Sequence, residues 1–202
     1  MITNNRPTVP LRVLRPGLVA LLAPLFLAAC IFDELIQERT DLVFEDEGTI
    51  RYTMLAKGVL SSEFLDAPEE EWADMFAYAE EMVEGMTYGW LDPSSLSVSL
   101  RPLSQTEAEL FVDGRYYPKT DAAEASDGRI TFWFQGSNYV NLVLNPELFD
   151  DSPAMLCIEI EGRWTASDSL DELPKITDGE EDCIDLQALH RAGFSYQVIF
   201  DR

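Results

Sequence analysis

Two neighbouring segments of the chain show the alternation of apolar and polar residues that is typical of β-strands. They are residues 38–44 and 49–57, and an acidic turn that ends in Gly48 separates them. In the second segment one face is entirely apolar, with Ile50, Tyr52, Met54 and Ala56. Because strand side chains point alternately to the two faces, this pattern predicts a β-hairpin with one buried face. We place its strands at Glu38–Phe44 and Thr49–Lys57.

A helix is predicted after the hairpin, over Pro68–Gly85. Asp66 is suited to cap its N-terminus, and Pro68 suits its first turn. The opposite face carries acidic residues, so the segment is amphipathic. Apolar residues recur at intervals of three and four, which places them on one helix face: Trp72, Met75, Phe76, Ala79, Met82, Val83 and Met86.

The rest of the chain favours strands, separated by glycine, proline and asparagine turns. Residues 185–191 have the pattern of a short helix. One principal helix, many strands and no βα alternation predict an α+β fold with a mainly antiparallel sheet and the 68–85 helix packed on it. The predicted strands are Leu96–Leu100, Glu107–Tyr117, Arg129–Phe134, Tyr139–Leu144, Ala154–Trp164 and Phe194–Phe200.

The composition is that of a folded, strongly acidic protein. The 202 residues include 47% hydrophobic and 11% aromatic side chains, which excludes a disordered acidic tail. The formal net charge is −23, with 37 acidic residues against 14 basic ones. A nucleic-acid-binding protein needs a basic surface, so this charge argues against nucleic acid as a partner.

The charge changes sign near residue 30. No acidic residue precedes Asp33, and residues 1–29 carry only Arg6, Arg12 and Arg15, so the remainder carries −23 − 3 = −26. An apolar run from Gly17 to Ala29 follows the basic residues, and it is shorter than the roughly 20 residues of a membrane-spanning helix. A secretory signal peptide has basic, apolar and then small residues in this order, and we place one at residues 1–29.

The apolar run ends in Leu27-Ala28-Ala29-Cys30, which resembles the lipobox of bacterial lipoproteins. The resemblance implies cleavage between Ala29 and Cys30, a diacylglyceryl group on the Cys30 thiol, and acylation of the new amine with a fatty acid such as palmitate. It implies the general secretory route, since no Arg-Arg pair is present. Ile31 in place of aspartate implies sorting to the outer membrane, facing the periplasm, in a host that has one. The alternatives are an ordinary signal peptide or an uncleaved anchor with a chance cysteine.

Two further cysteines remain, Cys157 and Cys183, and one pairing is possible between them. An exported chain meets an oxidising compartment in many bacteria, which favours a structural disulfide bond. A redox-active pair and two free thiols are the alternatives. The spacing is not that of a C-x-x-C motif, and no basic group lies near either cysteine in the sequence to stabilise a thiolate.

The sequence contains no motif that identifies an enzyme, so we predict no catalytic residue, metal or cofactor. His190 is the one histidine, and it lies beside Arg191 on the short predicted helix, which favours a surface position. The acidic run 178–182 offers oxygen ligands for calcium but lacks EF-hand spacing, so a solvated loop is favoured.

Aromatic residues offer one candidate binding site. The alternation in residues 132–134 places Trp133 on one sheet face and its two phenylalanine neighbours on the other. Such residues pack in a core, line an apolar cavity or form a partner-binding patch. The candidate wall of an apolar-ligand site consists of Phe132, Trp133, Phe134, Tyr139, Trp164 and Trp72.

The chain after Cys30 also resembles the LppM-type lipoprotein domain of bacteria. The shared features are a strand, the Glu45–Gly48 turn, a second strand, a helix, and a later strand that ends in residues 161–167. The resemblance implies an envelope lipoprotein with a helix packed on a sheet and an affinity for lipid, and it implies no catalytic residues.

We therefore expect a membrane-anchored, non-enzymatic cell-envelope lipoprotein that is structural or binds an envelope protein or a lipid. The alternative is an envelope hydrolase that uses carboxylates. We expect residues 30–37 to form the lipidated N-terminus and a short tether, and residues 38–202 to form one domain.

Overall fold

The structure is a computed structural model that describes residues 31–68, 71–87, 91–92, 94–117, 123–126, 130–136, 138–145, 152–193 and 195–202. Strands hold 53% of these residues and helices 20%. The protein is therefore mostly β, with two sheets, and the predicted α+β fold with one principal helix on a sheet is wrong.

The larger sheet has seven strands and contains the predicted hairpin. Its strands are β1 (Phe32–Phe44), β2 (Ile50–Leu60), β3 (Ser97–Pro102), β4 (Glu107–Tyr116), β8 (Ala154–Ile160), β10 (Lys175–Asp178) and β11 (Glu181–Asp185). Their order across the sheet is β10-β11-β8-β1-β2-β4-β3. Strands β1 and β8 run parallel, and the other neighbours in this sheet run antiparallel.

The smaller sheet has five strands in the order β5-β6-β7-β12-β9, all paired antiparallel. They are β5 (Ala123–Ser126), β6 (Ile130–Gln135), β7 (Tyr139–Leu144), β9 (Thr165–Ala166) and β12 (Tyr196–Asp201).

The described helices are α1 (Ser62–Leu65), α2 (Trp72–Thr87) and α3 (Leu186–Ala192), with a 3-10 turn at Asp168–Leu170. Asp185 caps α3 by accepting a hydrogen bond of 2.9 Å from the Ala188 amide. Helix α2 lies against the edge strand β3, where Glu80 Oε1 accepts a hydrogen bond of 2.6 Å from the Leu100 amide. Among the described helices, none has the length and apolar character needed to span a membrane.

The two sheets pack face to face around one hydrophobic core. Phe44 of β1 stacks on Phe200 of β12 with ring centroids 3.8 Å apart, and Tyr116 of β4 contacts Phe132 of β6 at 4.8 Å. Residues of both inner faces belong to the same buried cluster. Because the smaller sheet covers the larger one, helix α2 is an addition at one edge and not the second layer of the fold. This is the physical reason why the predicted architecture was wrong.

The predicted strands are found at nearly the predicted positions. Tyr139–Leu144 is identical, and the hairpin is present with both strands longer than predicted. The helix begins at Trp72 and ends at Thr87. Strands β5, β9, β10 and β11 were not predicted.

Strand β1 begins at Phe32 and not at the predicted Glu38. Residues 32–37, for which we expected a tether, therefore lie in the sheet. Ile31 and Phe32 are only 1% and 3% exposed, because they pack into the core. Two irregularities interrupt the β1–β2 register between Phe32 and Gln37, and they weakened the alternation that predicts a strand.

Neighbouring residues of β6 provide a test of the two-sheet arrangement. Phe132 is fully buried, whereas Trp133 points away from the core and is 47% exposed. Phe132→Ala is expected to lower the free energy of unfolding by about 3–5 kcal/mol, because it leaves a cavity between the sheets. Trp133→Ala serves as the control and is expected to cost about 0.5 kcal/mol, as surface substitutions do. Urea denaturation measures both, and equal losses would contradict the assigned faces.

Candidate functional site

The outer face of the larger sheet, which points away from the core, carries a groove of about 440 Å³. It crosses the centre of the sheet, where strands β2, β1 and β8 lie side by side and β11 follows. The strand alternation that buries Leu42 and Tyr52 turns their polar neighbours outward into the groove. Its polar lining includes Arg39, Asp41, Arg51, Thr53, Glu159 and Glu181.

Arg39 is the centre of the charge network at this groove. Its Nε donates to Asp41 Oδ1 at 2.8 Å, Nη1 donates to Asp178 Oδ2 at 2.6 Å, and Nη2 donates to Glu181 Oε2 at 2.5 Å. The hydrogen bond with Asp41 raises the pKa of the guanidinium, partial burial opposes that effect, and the contacts with Glu181 and Asp178 add to it. One cation thus joins β1 to both strands of the β10–β11 hairpin.

The disulfide bond between Cys157 and Cys183 lies beside this network and confirms the predicted pair. The two Cα atoms are 4.3 Å apart, and the bond joins β8 to β11. The described ladder between these strands holds two pairs, Ile184 with Leu156 and Asp185 with Met155. The disulfide bond and the Arg39 contacts add covalent and ionic links between the hairpin and the sheet to this short ladder.

Glu181 lies close to both sulfur atoms, with the three ligand-type atoms within 4.8 Å of one another. A metal needs cysteine as the thiolate. Both sulfur atoms are bonded to each other, so this group does not offer the thiolate ligands that a zinc site needs.

Further ion pairs extend across the same face of the sheet. Arg51 Nε donates to Asp113 Oδ1 at 2.9 Å, and the Glu109 carboxylate, only 8% exposed, pairs with Lys57 and Arg101. With Arg39 and Arg115, five of the chain's 14 basic residues take part in these pairs. The outer face is thus a mixed-charge surface on an otherwise acidic protein.

The turn between β1 and β2 is fixed by Glu45. Both carboxylate oxygens accept hydrogen bonds of 3.1 Å from Arg115, and Thr49 donates to the same carboxylate. Trp164 Nε1 donates to the Glu45 carbonyl oxygen at 2.8 Å. Partial burial tends to raise the pKa of Glu45, but the hydrogen bonds from Arg115 and Thr49 outweigh it, so the pKa is lowered.

The predicted aromatic wall is distributed over different parts of the structure. Phe132 and Phe134 lie in the core between the sheets, while Trp133 is on the opposite face of β6. Trp164 is buried against Phe44, with ring centroids 5.6 Å apart.

The two remaining residues of the predicted wall lie elsewhere. Tyr139 is half-buried at the start of β7, and Trp72 packs edge-on against Phe76 in helix α2. The inner members of the predicted wall therefore fill the core, and Trp133 does not share a surface with them.

The remaining predicted positions are the cleavage and lipidation site, the histidine and the acidic run. Ala29 and Cys30 lie outside the described residues. His190 is half-buried in the last turn of α3. The acidic run 178–182 forms the tip of the β10–β11 hairpin, where Asp178 and Glu181 bind Arg39.

Sequence reasoning missed Arg39, Glu45 and Glu109 as centres of ion pairs. The pair Arg39–Asp41 has a local signature, since residues two apart in a strand share a face. The partners of Arg39 in the hairpin are 139 and 142 residues away, and no local pattern indicates them.

In chemical terms the groove is suited to binding. Asp41, Asp178 and Glu181 each accept hydrogen bonds from the Arg39 guanidinium, which holds their carboxylates in place. The two arginine side chains and the ionised carboxylates offer directed donors and acceptors to a polar partner.

Comparisons with known proteins give little further information. No family model matches the chain, and no curated protein matches it. Among solved structures, the chain is similar to an aminopeptidase N family protein from Idiomarina loihiensis, with 10% identity and a TM-score of 0.35. The similarity covers 81% of this chain and 29% of that one, so this chain spans less than a third of that protein. A likeness at this level carries no argument about function.

Removal of the disulfide bond is expected to destabilise the protein. The cysteines are 26 residues apart, and a loop of that size gives a disulfide contribution of about 3 kcal/mol. The Cys157→Ala/Cys183→Ala variant should unfold at a correspondingly lower urea concentration. A reductant should lower the stability of the original protein and leave that of the variant unchanged. Equal stability of the two proteins under oxidising conditions would contradict the prediction.

Glu45 is expected to make stability fall at acidic pH. Its folded pKa lies below the unfolded value, so its contribution is fully present above the ordinary value of about 4.3 and is lost as the pH falls through the folded pKa. Glu45→Gln should cost about 0.5–1 kcal/mol at neutral pH, in the range of partly exposed ion pairs. It should also flatten the acid limb of a stability-against-pH curve. The control is Glu47→Gln, which removes a carboxylate at an exposed position of the same turn. An equal change in the curve for both variants would contradict a specific role of Glu45.

Proposed function

We propose that the chain is a lipid-anchored protein of the bacterial cell envelope with a non-enzymatic, structural or binding role. The observation that carries the proposal is the order of residues 1–30: basic residues, a short apolar run, and Leu27-Ala28-Ala29-Cys30 at its end. Acyl groups on Cys30 hold the protein at a membrane, since each buried methylene contributes about 0.8 kcal/mol.

Two features of the fold support this proposal. The Cys157–Cys183 bond is of the kind that persists in oxidising compartments outside the cytoplasm. The first strand begins at Phe32, two positions after the predicted lipidated cysteine, so the fold is compatible with removal of everything before Cys30.

The binding role is supported by the surface and by the packing. Three of the six residues of the predicted apolar wall, Phe132, Phe134 and Trp164, fill the core, which favours a partner on the surface over an apolar ligand between the sheets. The groove at Arg39 and Arg51 offers mixed charges in fixed geometry, which suits a polar protein partner. The non-enzymatic role rests on the sequence, which contains no motif that identifies an enzyme.

The route and the final location follow from the same residues. The chain is exported by the general secretory route, because no Arg-Arg pair precedes the apolar run. Ile31 follows the lipidated cysteine, so the protein is sorted to the outer membrane and faces the periplasm in a host with two membranes.

Metabolic labelling with radioactive palmitate tests the anchor. The original protein is expected to incorporate label, and Cys30→Ala is expected to lose it, because the acceptor thiol is gone. The Cys157→Ala/Cys183→Ala variant is the matched control and should keep the label. A Cys30→Ala protein that still carries palmitate would overturn the proposal.

Native mass spectrometry of the lipidated protein from its host separates the roles. A stoichiometric protein partner that is lost on Arg39→Ala supports the binding role of the groove. A retained lipid in the folded domain supports a carrier, and turnover of an envelope substrate by the monomer supports the alternative of an enzyme.

A further inference from the structure

The N-terminal end of the described chain is held firmly by the fold. Ile31 is 1% exposed, and its carbonyl oxygen accepts a hydrogen bond of 2.8 Å from the Ser61 amide. The Phe32 ring lies so close to Gly58 that a Cβ there would be 2.6 Å from a ring atom. Consecutive Cα atoms are about 3.8 Å apart, so an acylated Cys30 is attached to the domain without a flexible spacer.

Three segments of the chain meet at this end of the larger sheet, which we call the anchor end: Ile31, residues 61–65 and residues 103–106. The Leu60 amide donates to Thr106 O at 2.8 Å, which joins the end of β2 to the β3–β4 loop. Leu65 belongs to α1, and the Leu65 amide donates a hydrogen bond of 3.1 Å to the Ser61 carbonyl oxygen. Leu103 closes the β3–β4 loop by donating to Glu107 O at 2.8 Å.

The anchor end exposes two large apolar side chains on separate elements. Leu65 is 39% exposed and Leu103 is 47% exposed. Both belong to segments that meet at the end of the sheet where Ile31 leads to residue 30. Acylation at position 30 would therefore bring this end against lipid.

We propose that the anchor end is a membrane-contact surface, in which Leu65 and Leu103 enter the interfacial region of the leaflet that holds the acylated Cys30. This inference rests on the proposed lipidation and adds to it the orientation of the domain at the membrane.

Strand β1 has 13 residues, and at about 3.3 Å per residue the far end of the sheet lies roughly 40 Å from the anchor end.

The charges around the anchor end define the lipid that it contacts. Asp33, Glu34 and Glu63 are exposed there, and Asp33 Oδ2 accepts a hydrogen bond of 3.0 Å from the Ser62 amide. Acidic residues repel anionic head groups within about a Debye length, roughly 8 Å at physiological salt. The anchor end therefore suits a leaflet surface made of zwitterionic lipid.

Fluorescent labels at two ends of the sheet test the proposal. Leu103→Cys places a thiol at the anchor end, and Ile160→Cys is the matched control, because Ile160 is 37% exposed and pairs with Phe44 at the far end of β1. The chain has three cysteines, one acylated and two in the disulfide bond, so the introduced thiol is the one that reacts with an environment-sensitive dye.

The labelled, acylated proteins are placed in phosphatidylcholine vesicles that contain a lipid with a spin label near its head group. The dye at position 103 is expected to shift its emission to the blue and to be strongly quenched by the spin label, whereas the dye at position 160 is expected to be unaffected. Leu65→Cys should repeat the result for position 103. Thermal unfolding of each variant verifies that it is folded.

The outcome distinguishes the two proposals. An acylated N-terminal peptide in the mass spectrum, together with a dye at position 103 that is quenched no more than the dye at position 160, overturns the membrane-contact surface and leaves the lipoprotein assignment intact. An N-terminal peptide without acyl groups overturns both.

Discussion

Phe44 and Phe200 stack across the interface between the two sheets, and the burial of these inner faces is the constraint on which the rest of the structure depends. The central strands of both sheets each supply one apolar face, and neither sheet alone removes that face from water. Once the sheets pack, the outer face of the larger sheet remains in contact with solvent and carries polar residues. The Arg39 network, the groove and the paired Glu109 are thus consequences of the same alternation that forms the core.

Local patterns in the sequence predicted the elements better than their assembly. The hairpin and the strand Tyr139–Leu144 were recognised because period-two alternation specifies which face of a strand is buried. It does not specify what covers that face, so a second sheet and a helix were equally compatible with it. Strands β10 and β11 were missed because they are short and contain exposed acidic residues of the run 178–182, so they lack the apolar alternation that predicts a strand. Their ladder includes a position opposite Cys183.

Within the candidate site, the disulfide bond was the feature that the sequence predicted, because the number of cysteines left one possible pairing. With Cys30 assigned to the lipobox, Cys157 and Cys183 had one possible pairing, and the structure contains that bond. The contacts of Arg39 join positions that are distant in the chain and depend on where the hairpin folds back. Sequence also predicted that Phe132 and Trp133 face opposite ways, but whether the inward face lines a cavity or a filled core depends on packing between sheets.

Strand β1 also determines how the protein responds to mechanical force. It lies inside the sheet, with an antiparallel ladder to β2 along its whole length and a parallel ladder to β8 from Glu38 onward. A pull on the chain at Ile31 acts along β1 and loads the hydrogen bonds of both ladders together in shear. A pull that peels an edge strand away from a sheet would load the hydrogen bonds of that strand one after another. The proposed anchor at Cys30 would therefore transmit a pull to a strand that is hydrogen-bonded on both sides.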